Sequence, residues 1–120
     1  MAEQPGGRAA SLIWDFRVLE IGKYLDGDTC ELIVDMGFHV RSTQRFRLIG
    51  INAPERGTDD GRLATLYVRT WLETHLEHDQ VRVASRKDQS FNRWLGEVYS
   101  GSSSLAVDLL AAGLAFPRSR

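Results

Sequence analysis

The sequence predicts an α+β domain that is mainly β, a small five-stranded Greek-key barrel carrying two helices. Two observations lead there. Five short apolar or alternating stretches are set apart by turn signals, the pattern of strands in a small barrel. The elements run three strands, a helix, two strands and a helix, so helices and strands are segregated and do not alternate. That order argues against a parallel doubly wound sheet.

The first ten residues, Met1 to Ala10, are small and polar and read as a loose arm, which leaves residues 11–120 as one domain. From Leu12 to Tyr24 the residues Ile13, Phe16, Val18, Leu19 and Ile21 make a β-rich stretch. Asp26-Gly27 is a hairpin-turn dipeptide. A second strand follows from Thr29 to Asp35 around Leu32, Ile33 and Val34, and Gly37 marks the next turn. Arg41 to Ile51 is the third strand, with Phe46, Leu48 and Gly50 on one face and Arg45, Arg47 and Ile49 on the other. Pro54 ends it, because proline has no N–H to give a ladder.

The polar segment Arg56 to Gly61 carries the helix-start residues Thr58, Asp59 and Asp60. Leu63, Leu66, Tyr67, Thr70, Trp71 and Thr74 then fall at helical spacing, giving an amphipathic helix over Arg62 to Glu77. Gln80 to Arg86 alternates Val81 and Val83 with Arg82 as a fourth strand, and Trp94 to Tyr99 is the fifth. Gly101 and three serines turn the chain into a last helix, Leu105 to Ala112, closed by Gly113. Such a set suits a partly open barrel of the oligonucleotide-binding kind.

At 120 residues the chain holds one core and not two. Its 42% hydrophobic and 26% charged composition argues against a disordered tail or a collagen-like repeat. The single cysteine, Cys30, cannot form an internal bridge, so the fold stands on packing alone, and Cys30 reads as a small buried hydrophobe. No run approaches the ~18 apolar residues of a membrane span. The N-terminus lacks a basic-then-apolar signal pattern, so the expectation is a cytoplasmic protein with no membrane partner. A formal net charge of −1 gives no hint of a polyanionic partner, but the distribution is uneven. Arg41, Arg45, Arg47 and Arg56 face only Glu55 between positions 41 and 56. Thirteen of the fifteen basic residues are arginine, which suits planar bidentate contacts and equally a GC-rich genome.

Acidic residues at strand ends are the first candidates for chemistry. Asp26-Gly27-Asp28-Thr29 sits at a hairpin, and Asn52-Ala53-Pro54-Glu55 just past the third strand. Two oxygen-rich strand ends brought together hold a hard cation such as Ca²⁺ or Mg²⁺; taken singly, both are ordinary turn sequences. An EF-hand is a poor fit, since Asp26-x-Asp28-x-Cys30-Glu31 lacks a third oxygen ligand and the sixth-position glycine. Arg47 and Arg93 would make a phosphate clamp beside such a cation, each guanidinium offering paired donors; otherwise they serve as surface ion pairs. His75 and His78 have no third ligand nearby and read as an exposed helix end. Trp71 reads as core, and Trp94, beside Arg93, is either core or a platform for base stacking.

Four motifs then occur in order: Asp26-Gly27-Asp28-Thr29, Arg45 to Glu55 (RFRLIGINAPE), Phe91 to Tyr99 (FNRWLGEVY) and Leu109 to Ala115 (LLAAGLA). With them the chain resembles the staphylococcal nuclease-like (thermonuclease) family from about Val18 to Ala115. The resemblance implies an oligonucleotide-binding barrel and a Ca²⁺-dependent phosphodiesterase that cuts DNA and RNA, leaving 3′-phosphate and 5′-hydroxyl ends. By position it implies that Asp28 is the metal-ligating aspartate of the DGDT motif and that Ala53 lends its backbone carbonyl to the metal. It implies Glu55 as general base, and Arg47 and Arg93 as the two phosphate-binding arginines.

Those roles suit the groups. A cation on a phosphate oxygen neutralises charge and polarises phosphorus. Ionised Glu55 accepts a proton from an attacking water, while Arg47 and Arg93 stabilise the charge of a five-coordinate phosphorus. Arginine, with a pKa above ~12, is a poor proton donor, which favours an electrostatic role for Arg93. Single-stranded or frayed substrate is expected, with DNA and RNA not distinguished. The rival reading is a catalytically weak single-stranded nucleic-acid-binding module on the same barrel, and a weaker third is a structural interaction domain. Asn52 favours the rival; Asp28, Arg47, Glu55 and Arg93 together favour the enzyme.

Three departures from the family pattern bear on this. The turn Asp88 to Arg93 is one residue longer than the family's and carries Asn92 where glycine is usual, a residue that tolerates positive φ. The chain stops at Arg120 where the prototype continues into a third helix, so a dimer or a different cap is expected over the gap. Asn52 stands where the pattern has a second metal-ligating aspartate. Its amide oxygen still ligates, but a unit of negative charge is gone, worth on the order of 1–4 kcal/mol at ~4 Å. Calorimetric titration should therefore find Ca²⁺ bound about tenfold or more tightly by Asn52→Asp than by the wild type. Equal affinities would contradict this.

Overall fold

A computed structural model describes residues 12–88 and 93–118 of the chain. The expected arm, Met1 to Ala10, and the unusual Asn92 of the long turn lie outside the described residues. The elements in order are β1 (Trp14–Leu25), β2 (Thr29–Asp35), β3 (Arg41–Leu48), β4 (Ile51–Asn52), α1 (Asp59–His78), β5 (Arg82–Lys87), β6 (Trp94–Ser100), β7 (Ser103–Ser104), α2 (Leu105–Ala111) and β8 (Phe116–Pro117).

β1 is long enough to serve two neighbours. Its first residues, Trp14 to Arg17, pair antiparallel with β5, and Val18 to Leu25 pair with β2 across an irregularity between Val18 and Glu20. β2 pairs with β3 and β5 with β6, both antiparallel. β6 then returns to β3 in parallel, over Phe46–Trp94, Arg47–Leu95 and Leu48–Gly96, and so closes a five-stranded barrel. Sequence suggested a partly open barrel; the closing seam is three residue pairs long.

Alternation fills the interior. Val18, Leu32, Val34, Phe46, Val83 and Val98 are buried in one core with Val68, Trp71 and Leu72 of α1 and Leu105 and Leu109 of α2. Trp71 Nε1 donates to Asp108 Oδ2 at 2.8 Å, tying the two helices together. Cys30 lies fully buried in β2, as expected of a small apolar side chain, and burial pushes its thiol up to about 12. No helix among the described residues is long and apolar enough to cross a membrane.

α1 begins at Asp59 instead of Arg62, because Thr58 caps it: Thr58 Oγ1 accepts from the Gly61 N–H at 3.0 Å. Asp59 and Asp60 then occupy the first turn, where the helix dipole favours acidic groups. α2 ends on Gly113 at φ +75°, the left-handed cap.

The third strand departs from expectation. Arg41 to Ile51 is not one strand: β3 stops at Leu48, and Gly50 at φ +83° turns the chain. Ile51 and Asn52 then form β4 against Pro117 and Phe116 of β8. Gly50, and not Pro54, ends the strand. β4, β7 and β8 have two residues each, too few to show a period in sequence.

The hairpin between β1 and β2 is held close to the site by a space only glycine fits. A β-carbon on Gly27 would collide with the Ala53 side chain and come within 2.9 Å of Ala64 Cβ on α1. Gly27→Ala should lower stability in urea by about 1–3 kcal/mol, the usual cost of overpacking. Combining it with Ala53→Gly should recover part of that loss; an unshifted unfolding midpoint for the single variant would contradict the close approach.

Candidate functional site

β3 places three buried residues in a row, Phe46, Arg47 and Leu48. Phe46 and Leu48 belong to the core, so alternation directs Arg47 to the other face of the strand. There the returning segment after Gly50 covers it, and Arg47 is only 5% exposed. Its Nη1 donates to the carbonyls of Leu48 at 3.0 Å and Ile51 at 2.9 Å, and its Nη2 donates to Asn52 Oδ1. The same Nη2 lies 3.7 Å from Asp28 Oδ2. Burial pushes the guanidinium below its ordinary value; Asp28 opposes that shift, and the charges of Arg118 and Arg93 add to it. Arginine stays a cation regardless.

Asp28 joins the two turns that the sequence set apart. Its Oδ2 accepts the Ala53 N–H at 3.0 Å, and its Oδ1 accepts the Thr29 hydroxyl at 3.3 Å. The Asp28 carbonyl accepts the Leu48 N–H at 2.8 Å, which fixes the hairpin to the end of β3. Asp28, Arg47, Asn52 and Ala53 are thus one contiguous group.

Glu55 and Arg93 stand apart from that direct network. The Glu55 backbone carbonyl accepts the Thr58 hydroxyl at 2.6 Å, and Gly61 has no side chain to collide with it. The Glu55 carboxylate is exposed, with no hydrogen bond or ion pair among the described residues. Arg93 Nε donates to Asp88 Oδ2 at 2.9 Å.

Two arginines near Arg47 escaped the sequence reading. The Arg118 N–H donates to the Gly50 carbonyl at 2.8 Å, directly beyond the short ladder that pairs Phe116 with Asn52. Arg86 shares a register row with Leu95 and Arg47, and its Nε is buried without a hydrogen-bond partner among the described residues. No local pattern marks either residue, since both are brought in by long-range pairing. The basic run at 41–56, in contrast, does not converge. Arg41 pairs with Glu20 at 3.0 Å and Arg45 with Glu31 at 3.7 Å. The guanidiniums of Arg45 and Arg56 lie 4.7 and 5.0 Å from the Tyr24 ring centroid. His75 stacks on Trp71 at 3.9 Å instead of turning toward His78.

The donor set around Asp28 has the chemistry for a hard cation. It consists of one carboxylate, the amide oxygen of Asn52 and the backbone carbonyl of Ala53, all hard oxygens with a single negative charge. Among the described residues no three of His, Cys, Asp and Glu come together as a metal cluster. Asn52 Oδ1 already accepts from Arg47, which leaves the Asp28 carboxylate as the one charged oxygen group of that set.

The family model for staphylococcal nuclease homologues matches residues 45–119, more than half of the chain. No curated protein matches it.

Because three hydrogen bonds of the Arg47 fork fasten the Leu48–Asn52 segment, its loss should register without any ligand. Arg47→Lys, whose single ammonium cannot span those acceptors, should lower stability in urea by about 1–3 kcal/mol. An unchanged midpoint would mean that the guanidinium does not hold the loop.

Proposed function

Since this chain belongs to the staphylococcal nuclease homologue family, we propose that it is a metal-dependent endonuclease hydrolysing phosphodiester bonds of single-stranded or frayed DNA or RNA. The observation that supports this most is a pinned guanidinium followed in the chain by a carboxylate with no hydrogen bond or ion pair among the described residues. Arg47 is fastened to the segment Leu48–Asn52, and Glu55, a few residues on, has its carboxylate exposed and uncommitted among the described residues.

Asp28, Asn52 and Ala53 would hold a Ca²⁺ ion, which when bound supplies charge neutralisation and polarisation at the phosphate. The rest falls to the chain's own groups. Arg47 and Arg93 present planar paired donors to the non-bridging oxygens. Preorganised and partly dry, they stabilise the charge that grows as phosphorus becomes five-coordinate. The internal bonds of Arg47 fix it before substrate arrives, so little reorganisation is needed. Glu55 takes the proton of the attacking water; a domain that only bound the strand would gain nothing from a bare carboxylate beside phosphate.

One observation favours the alternative, a catalytically weak binding module on the same barrel. Asn52 carries no charge and its oxygen is turned to Arg47, which weakens the cation site relative to a carboxylate there.

Cleavage of end-labelled single-stranded DNA, with Ca²⁺ and then with EDTA, separates the two. The enzyme requires cleavage that EDTA abolishes and that Glu55→Gln lowers by roughly 10²–10⁴-fold, with stability unchanged because that exposed carboxylate has no hydrogen bond or ion pair among the described residues. Wild type and variant equally inert with Ca²⁺, Mg²⁺ and Mn²⁺, yet both retaining the strand, would leave the binding module.

A further inference from the structure

The barrel interior is unfilled at the end where β2 finishes and β3 starts. Trp14, Phe16, Phe46 and Trp94 line a cavity of about 220 Å³ there, with Gln44 and Ser85. That is below the ~300–1,000 Å³ of sites for drug-sized molecules and scaled to one flat ring. Trp14 and Trp94 meet edge to face with centroids 5.8 Å apart, and Trp14 remains 43% exposed, so the cavity opens to solvent.

The short seam accounts for the opening. β6 pairs with β3 only over Phe46 to Leu48, whereas β3 begins at Arg41. Among the described residues the first part of β3 therefore has no strand partner on that side. Side chains bridge the gap: Trp94 Nε1 donates to Gln44 Oε1 at 3.1 Å, and Gln44 Nε2 donates to the Ser42 hydroxyl at 2.9 Å.

Two features point to what fits inside. Ser85 is 2% exposed and turns a small polar side chain to the cavity wall among aromatic rings. That hydroxyl offers a donor and an acceptor to the edge of a heterocycle. The lip is cationic: Lys87 Nζ lies 5.1 Å from the Trp94 ring centroid, and Arg93 immediately precedes Trp94. Arg93 pairs with Asp88 while Trp94 lines the cavity, so a phosphate contact and an aromatic wall sit one residue apart.

We propose that this cavity takes one base of a single strand whose backbone is held at Arg93 and Lys87. The assignment rests on the nucleic-acid reading above and adds a base subsite to it. Stacking against tryptophan is tolerant of sequence because every base has a π-face, so the pocket favours unpaired strands over duplex without selecting a sequence.

Titrations in EDTA, where no cleavage occurs, would compare a short oligothymidylate with an abasic strand of equal length and charge. The thymidylate should bind about tenfold more tightly and quench tryptophan emission, with the same salt dependence for both strands. Ser85→Leu, which fills the cavity, should reduce thymidylate affinity to that of the abasic strand. Trp14→Ala should do the same, and because Trp14 is half-exposed it carries the test alone if Ser85→Leu does not fold. Equal affinity of the wild type for both strands, or a preference that survives in the folded variants, overturns the pocket and leaves the phosphate site standing. Failure to bind either strand even at low salt, where phosphate contacts are strongest, overturns the nucleic-acid reading and the pocket with it.

Discussion

The guanidinium of Arg47 is buried in the barrel wall, and the arrangement around it follows from what a buried cation requires. It must be hydrogen-bonded and faced by opposite charge. Leu48, Ile51 and Asn52 supply the acceptors, and Asp28 supplies the charge at 3.7 Å. Satisfying those needs folds the chain back at Gly50, which creates β4 and gives β8 something to pair with. It also brings Ala53 onto Asp28 and leads the chain past Glu55 into the Thr58 cap. The group that organises the loop is also the group proposed to receive phosphate, so positioning and binding are served by one side chain.

Much of this was legible in the sequence, and what was not has identifiable causes. The strands with alternating apolar residues and the long amphipathic helix appear where their periods put them, β2 over the same Thr29–Asp35 span. Asp26-Gly27 and Asn52-Ala53 read as separate turns; their contact depends on the missing side chain of Gly27, which sequence shows as a turn residue and not as a space. Alternation over Arg41–Ile51 places Gly50 on a strand face, but its positive φ, which alternation does not show, ends the strand. Arg118 and Arg86 were invisible because two-residue ladders and cross-strand rows leave no local pattern. The basic run looked like a patch, yet its members point into different ion pairs and onto Tyr24.

Charge around the site leans toward anion binding. Arg47, Arg93 and Arg118 gather near Asp28 and Asp88, with Arg86 in the same cross-strand row as Arg47, and Asn52 withholds the carboxylate that would favour a cation. Asp88 neutralises and orients Arg93, while the Glu55 carboxylate is the acid left without such a partner among the described residues. In the proposed nuclease such a balance would hold phosphate mainly through guanidinium groups and ask less of the metal.

In the proposed reaction water, activated at Glu55, attacks a phosphate held by Arg47 and Arg93. Mass spectrometry of the products formed from single-stranded DNA with Ca²⁺ in heavy-oxygen water tests it directly. Shortened strands whose new terminal phosphate carries one solvent oxygen are the expected result. A strand recovered intact while the protein holds it would contradict the claim and leave a domain that binds without cutting.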